Sequence, residues 1–380
     1  MINNENSVPG IGYVDIEVKI IDNHARQKMY SQVGSSGPIS LKIRAADREE
    51  VVESPAPLDL EKLYYAAKAP DYWSHDLAAF YGGLLYEWMF GGRLREELLI
   101  ARSIARSTNR LIRFCLTIEE SLGQYCGLRW ESLFSKKDEE FLSQSMIFAR
   151  VRHGRSRQAW PVVERPLRLR AIVANPLGTS ALPQEELQHL EESLMRGVHQ
   201  SKGMVTPHFS FDWKETQVPR SPHIVVLLGR AAIGNEPLGF AMSDAAGEST
   251  VPLRDVAERI ISRESPPFLV VLATPSLGNP REATSFQSFA DELIDRDVQA
   301  VLAVQGPMAM DRLAEFGGEL LEAIIRNGEI DSAVRTARNK FTGQARGEWD
   351  WTFPVLTLRS PNARLFQPLS ESLEAALPAY

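Results

Sequence analysis

Three observations predict an α/β fold: a mostly parallel sheet flanked by helices on both faces, with an N-terminal α+β region. HIVVLLG at 223–229, FLVVLA at 268–273 and VQAVLAVQ at 298–305 are apolar runs without alternation. Strands buried on both faces read this way, and sheets made of them are mainly parallel. Segments of helical period stand between these runs, the order expected of strand–helix–strand crossovers. Before residue 160 the pattern differs, with apolar and polar residues alternating or helices following one another. The chain therefore divides into a region 1–160, α+β in pattern, and a region 161–380 carrying the parallel sheet.

Taken in order, Val14, Ile16, Val18 and Ile20 alternate with Asp15, Glu17 and Lys19, and Ile39, Leu41 and Ile43 alternate with Ser40, Lys42 and Arg44. That period of two gives two half-buried strands paired across a turn from Gly34 to Pro38. Leu77, Phe80, Leu84 and Trp88 share one helical face, and Leu94, Leu98, Ala101 and Ala105 another, with Gly91-Gly92 breaking the pair. Ile112 to Ile118 and SMIFARV at 145–151 are further strands. From residue 166, LRLRAIVANP is a strand, and Leu187, Leu190, Leu194 and Val198 mark a helix. After HIVVLLG comes a loop and hairpin over 230–250; Thr250 is then read as the cap of a helix with Pro252 in its first turn and Leu253, Val256 and Ile260 inside. Phe286, Phe289 and Leu293 place a helix after FLVVLA. Two helices follow VQAVLAVQ, over 308–327 and 331–341, the first stopped by Asn327-Gly328, and FPVLTL closes the series.

Composition narrows function. A net charge of −7 over 380 residues, with both signs dispersed, argues against binding along a phosphate backbone, so no nucleic-acid partner is expected. Cys115 and Cys126 lack metal-site or disulfide-framework spacing and are read as packing thiols of a reducing, cytoplasmic setting. The N-terminus MINNENSVPG has no signal pattern, and the apolar runs are too short to span a membrane. No histidine pattern suits a metal, and no cofactor is expected. GRAAIG has the glycine spacing of a phosphate loop but lacks the Lys-Ser/Thr that follows in one. RVRHGRSR is read as a solvated connector, and Glu315, Glu319 and Glu322 as one exposed helical face. His223 opens its strand at the end away from the crevice and is read as structural.

Ligands of parallel sheets gather where the carboxyl ends of neighbouring strands meet. That singles out Gly229-Arg230 and Thr274-Pro275-Ser276, and Gly229, Arg230, Thr274, Ser276 and Gln305 are the candidate crevice residues. With their flanks, HIVVLLGRAAIG and FLVVLATPSLG resemble the two catalytic strand ends of the CHAT family, the caspase-like peptidases related to caspases, separases and gingipains. AVLAVQGPM, NGEIDSAVRTARNKF and WTFPVLTLRSPNARLF resemble the family's later strand, penultimate helix and closing strand. LRWESLF resembles the element preceding its core, and PLRLRAIVANPLGTSALPQEELQHLEESL the core's first strand and helix.

The resemblance implies a caspase-like fold from about residue 127 onward and puts Arg230 where the family has its base histidine and Pro275 where it has its nucleophilic cysteine, 45 positions apart. Arginine accepts no proton, and proline brings neither a nucleophile nor a backbone N–H. The expectation is a pseudo-peptidase with no catalytic residues, binding a protein or peptide partner, for instance an active peptidase or a component of a bacterial defence pathway. Two alternatives stand beside it: a peptidase using Thr274 or Ser276 as displaced nucleophile, and a nucleotide or second-messenger sensor in which Arg230 and loop amides hold an anion.

Overall fold

The computed structural model describes residues 12–23, 39–56, 58–67, 75–152, 163, 166–174, 184–200, 204–210, 221–229, 231–232, 239–244, 247–260, 265–273, 280–306, 308–341, 350–361 and 364–365. Among these, ten α-helices surround a mixed sheet of eleven strands, the α/β class that the apolar runs predict. The first strands are β1 (Tyr13–Asp22), β2 (Ile39–Ala45) and β3 (Val51–Glu53), followed by α1 (Leu60–Ala67), α2 (His75–Phe90) and α3 (Leu94–Thr108). Next come β4 (Leu111–Ile118), α4 (Gly123–Cys126), β5 (Phe134–Ser135), β6 (Glu140–Phe141), α5 (Leu142–Ser145) and β7 (Ile147–Val151). The second half holds β8 (Leu167–Ala174), α6 (Gln184–Gln200), β9 (Val205–Ser210), β10 (Ile224–Gly229), β11 (Ala231–Ala232), β12 (Gly239–Asp244), β13 (Gly247–Pro252) and α7 (Leu253–Ile260). It ends with β14 (Leu269–Ala273), α8 (Pro280–Asp295), β15 (Ala300–Val304), α9 (Met310–Asn327), α10 (Ile330–Phe341) and β16 (Pro354–Leu358).

Strand order is β3-β2-β1-β4-β7-β16-β15-β14-β10-β8-β9. From β9 to β15 all neighbours are parallel. β16 pairs antiparallel with β15 and parallel with β7, and β7, β4 and β1 continue in that second direction. One sheet thus contains two parallel blocks of opposite sense, joined at β15–β16. The carboxyl ends of β8, β10, β14 and β15 lie at one edge, called here the leading edge; those of β4, β7 and β16 lie at the opposite, trailing edge. The sheet passes from residues before 160 to residues after 161 without a break in pairing.

Burial follows the sequence pattern. In β1, Val14, Ile16, Val18 and Ile20 enter the core while Asp15 stays exposed, because only one face of this strand is fully covered. β14 and β15 are buried at every position, with Val270 and Leu272 packing on α7 and α8 and Leu269 and Val271 on the opposite side. The helical pair α2–α3 forms as expected, and Gly328 in the left-handed region at φ 71° ends α9 as the Asn327-Gly328 signal requires. The turn from Gly34 to Pro38 lies outside the described residues, but the strands it was expected to join are antiparallel neighbours.

Two expectations are corrected. Thr250 does not cap a helix: it lies in β13 opposite Ala241, Pro252 pairs with Gly239, and α7 starts at Leu253. Thr and Val favour a pleated strand, and the β12–β13 hairpin supplies a partner that no local pattern announces. The carboxylates of Glu315, Glu319 and Glu322 do not form a freely solvated face either; they are partly covered and pair with Arg312, Lys340 and Arg326.

Candidate functional site

The leading edge brings together the candidate positions that lie within the described residues. Gly229 ends β10 and is level with Ala174 of β8. Leu228 pairs with Ala273, and Leu272 with Ala303. Val304 follows Ala303 at the end of β15, so Gly229 and Gln305 both stand where their strands run out at this edge, with β14 between the two strands. Arg230, Thr274, Pro275 and Ser276 lie outside the described residues, so the crevice chemistry read from them rests on the sequence.

Gln305 continues the strand past β15: its N–H donates to the Phe353 carbonyl at 2.9 Å. Its own carbonyl accepts from Arg129 Nη1 at 3.4 Å. Arg129 belongs to the LRWESLF element. Its backbone N–H donates to Tyr81 Oη at 3.2 Å, and its guanidinium lies 4.9 Å from the centre of the Phe353 ring. Burial lowers that guanidinium to about 10. The Phe353 ring in turn packs on Gly306, where an added Cβ would meet it at 2.3 Å, so glycine is needed there for close approach. Arg129 and Phe353 were not singled out from the sequence. The available signal was an arginine inside an otherwise apolar LRW run.

The trailing edge carries a second polar cluster, around a small cleft lined by residues that include Cys126, Arg150, Arg152, Gln287, Asp291 and Thr357. Arg150, at the end of β7, donates Nε to Glu131 Oε1 at 3.0 Å and Nη2 to Glu131 Oε2 at 2.7 Å. Its remaining donors reach the carbonyls of Cys126 and Leu128 and Gln287 Oε1. Gln287 of α8 passes its Nε2 hydrogens to Asp291 and Thr357. Asp291, its carboxyl raised by burial, faces Arg152, which also pairs with Glu120 and Asp295. The reading of RVRHGRSR as a solvated connector therefore fails at Arg150, while its residues 153–157 lie outside the described residues. That side chain is buried because Glu131, wholly buried in the WES turn, matches both its charge and its fork geometry.

The remaining candidates are structural. His223 precedes β10, accepts the Arg168 N–H on Nδ1 at 3.2 Å and is lowered to about 4 by burial and then by Arg168. Burial raises both thiols, Cys126 to about 11 and Cys115 further, so neither stands as a thiolate nucleophile. Among the described residues no group of His, Cys, Asp and Glu could hold a metal ion, and no helix is long and apolar enough to cross a membrane. No protein-family model and no curated protein matches this sequence. What fold and site define is a class: an α/β protein whose parallel strands end together at a polar edge.

Proposed function

We propose that this chain is a catalytically silent relative of the caspase-like CHAT peptidases, which holds an extended peptide or protein segment at its leading edge without cutting it. One observation carries the reading. Gly229 and Ala273 end adjacent parallel strands at a single edge, and the sequence continues from them with Arg230 and with Thr274-Pro275-Ser276. Thiol peptidase chemistry needs a nucleophile and a proton acceptor within hydrogen-bond reach of each other. An arginine and a proline supply neither, while the place where the carboxyl ends of parallel strands meet remains the usual binding crevice of such sheets. By analogy with the family, the partner is an active peptidase or another component of a bacterial defence pathway.

The test incubates the full chain with a library of amidated peptides and recovers retained and cleaved species by mass spectrometry. Retained, intact peptides are the expected result. Turnover abolished by Thr274→Ala or Ser276→Ala would replace this reading with a displaced nucleophile. The same preparation melted with a nucleotide panel should show no shift; a ligand at one hundred times its dissociation constant would add about 2.7 kcal/mol and make the protein a nucleotide sensor.

A further inference from the structure

The leading edge contains a buried polar group with no partner among the described residues. Gln305 is 5% exposed, and its Nε2 is buried with no hydrogen-bond partner among the described residues. Folded proteins retain few such donors, because a desolvated N–H left unpaired is costly. Both backbone polar groups of Gln305 are engaged, through Phe353 and Arg129, so the residue is fixed while its side-chain amide is not used.

Strand alternation gives the side on which that amide lies. Val301 and Ala303 pack with Phe286, Phe289 and Leu293 of α8, whereas Ala300, Leu302 and Val304 join the opposite cluster. Pairing with the β16 segment continues through Gln305, so its side chain takes the α8 side. α8 connects β14 to β15 and runs antiparallel to both, which puts its N-terminus at the edge where those strands end. A helix of 16 residues directs the positive end of its dipole there. Pro280 as its first residue removes only a donor the helix would not use.

We propose that this corner receives a carboxylate of the gripped peptide, with Gln305 Nε2 donating to one carboxylate oxygen and the α8 N-terminus favouring the negative charge. A planar, singly charged group fits one amide donor beside a helix end. The inference rests on the peptide-binding reading above and specifies which peptides the edge prefers. The carboxylate comes from an Asp or Glu side chain or from a chain terminus.

Three matched peptide libraries separate the possibilities on the immobilised full chain: amidated peptides containing Asp and Glu, the same peptides with Asn and Gln instead, and the Asn/Gln set with free C-terminal carboxylates. The wild type should retain one carboxylate library about tenfold better than the amidated Asn/Gln set, a difference of about 1.4 kcal/mol. The library that wins identifies the source. Gln305→Leu should melt no lower than the wild type, since it removes the orphan donor, yet discriminate less than about twofold. Gln305→Glu, which keeps the shape of the side chain, should favour the amide set. Retention without preference, or an unchanged preference in Gln305→Leu, overturns this inference and leaves the gripping reading intact. No retention of any library overturns both.

Discussion

At the trailing edge, where β4, β7 and β16 end, Arg150 commits all five of its N–H groups to Glu131, Gln287 and the carbonyls of Cys126 and Leu128. At the leading edge, where β10, β14 and β15 end, Gln305 Nε2 donates to no acceptor among the described residues. Both edges are carboxyl ends of parallel strands, and α8 touches both, with Gln287, Asp291 and Asp295 toward the trailing edge and its N-terminus toward the leading one. The difference lies in satisfaction. The donors of Arg150 are all matched, which ties elements together. Arg152 Nε beside it has no hydrogen-bond partner among the described residues, but its guanidinium already pairs with Glu120, Asp291 and Asp295, whereas the Gln305 amide has no such pairing among the described residues. Topology alone names two candidate crevices, and the ion pairs of Arg152 distinguish them: the unmatched donor of the trailing edge belongs to a guanidinium already neutralised by three carboxylates, that of the leading edge to a neutral amide.

The largest expected effect breaks the comparison on its structural side. Arg150→Met leaves the Glu131 side chain wholly buried without its ion-pair partner, and should cost about 3–5 kcal/mol of stability in urea unfolding. Adding Glu131→Leu should recover much of that loss, since a buried pair replaced by apolar groups is often neutral. A smaller effect sharpens the other side. Gly306→Ala sets a methyl 2.3 Å from the Phe353 ring, and should cost about 1–3 kcal/mol and weaken peptide retention by displacing Gln305.

The smallest concerns His223, before the amino end of β10. Its folded pKa of about 4 lies below the ordinary 6.5, so the unfolded chain binds the extra proton between those values. Stability from the neutral imidazole is complete above about pH 6.5 and is lost as pH falls toward 4. The melting-temperature advantage of the wild type over His223→Asn should shrink across that window; an advantage independent of pH would reject the neutral, buried assignment.

Much of this fold was legible because its signals are local. The alternation in Val14 to Ile20, the unbroken run FLVVLA and the Asn327-Gly328 stop each report a period or a dihedral preference within a few residues. What escaped depends on distant partners. Pairing of β16 with β7 merges the two regions into one sheet, and that pairing joins residues more than 200 positions apart. Thr250 fell to β13 because Ala241 stands opposite it. Arg150 is buried because Glu131 is; the usable hint was a lone arginine in the apolar run SMIFARV, an inward position that demands a counter-charge. At the candidate site, Gln305 was reached from the order of strand ends, but its unsatisfied amide is a fact of packing, invisible to pattern.

The contrast between the edges is tested most directly by amide hydrogen exchange on the full chain, with and without a saturating retained peptide. Slower exchange at residues 272–273 and 304–306, with no change at 116–118 and 150–152, is the expected result. Protection at the trailing edge, or at neither edge despite bound peptide, would contradict the account.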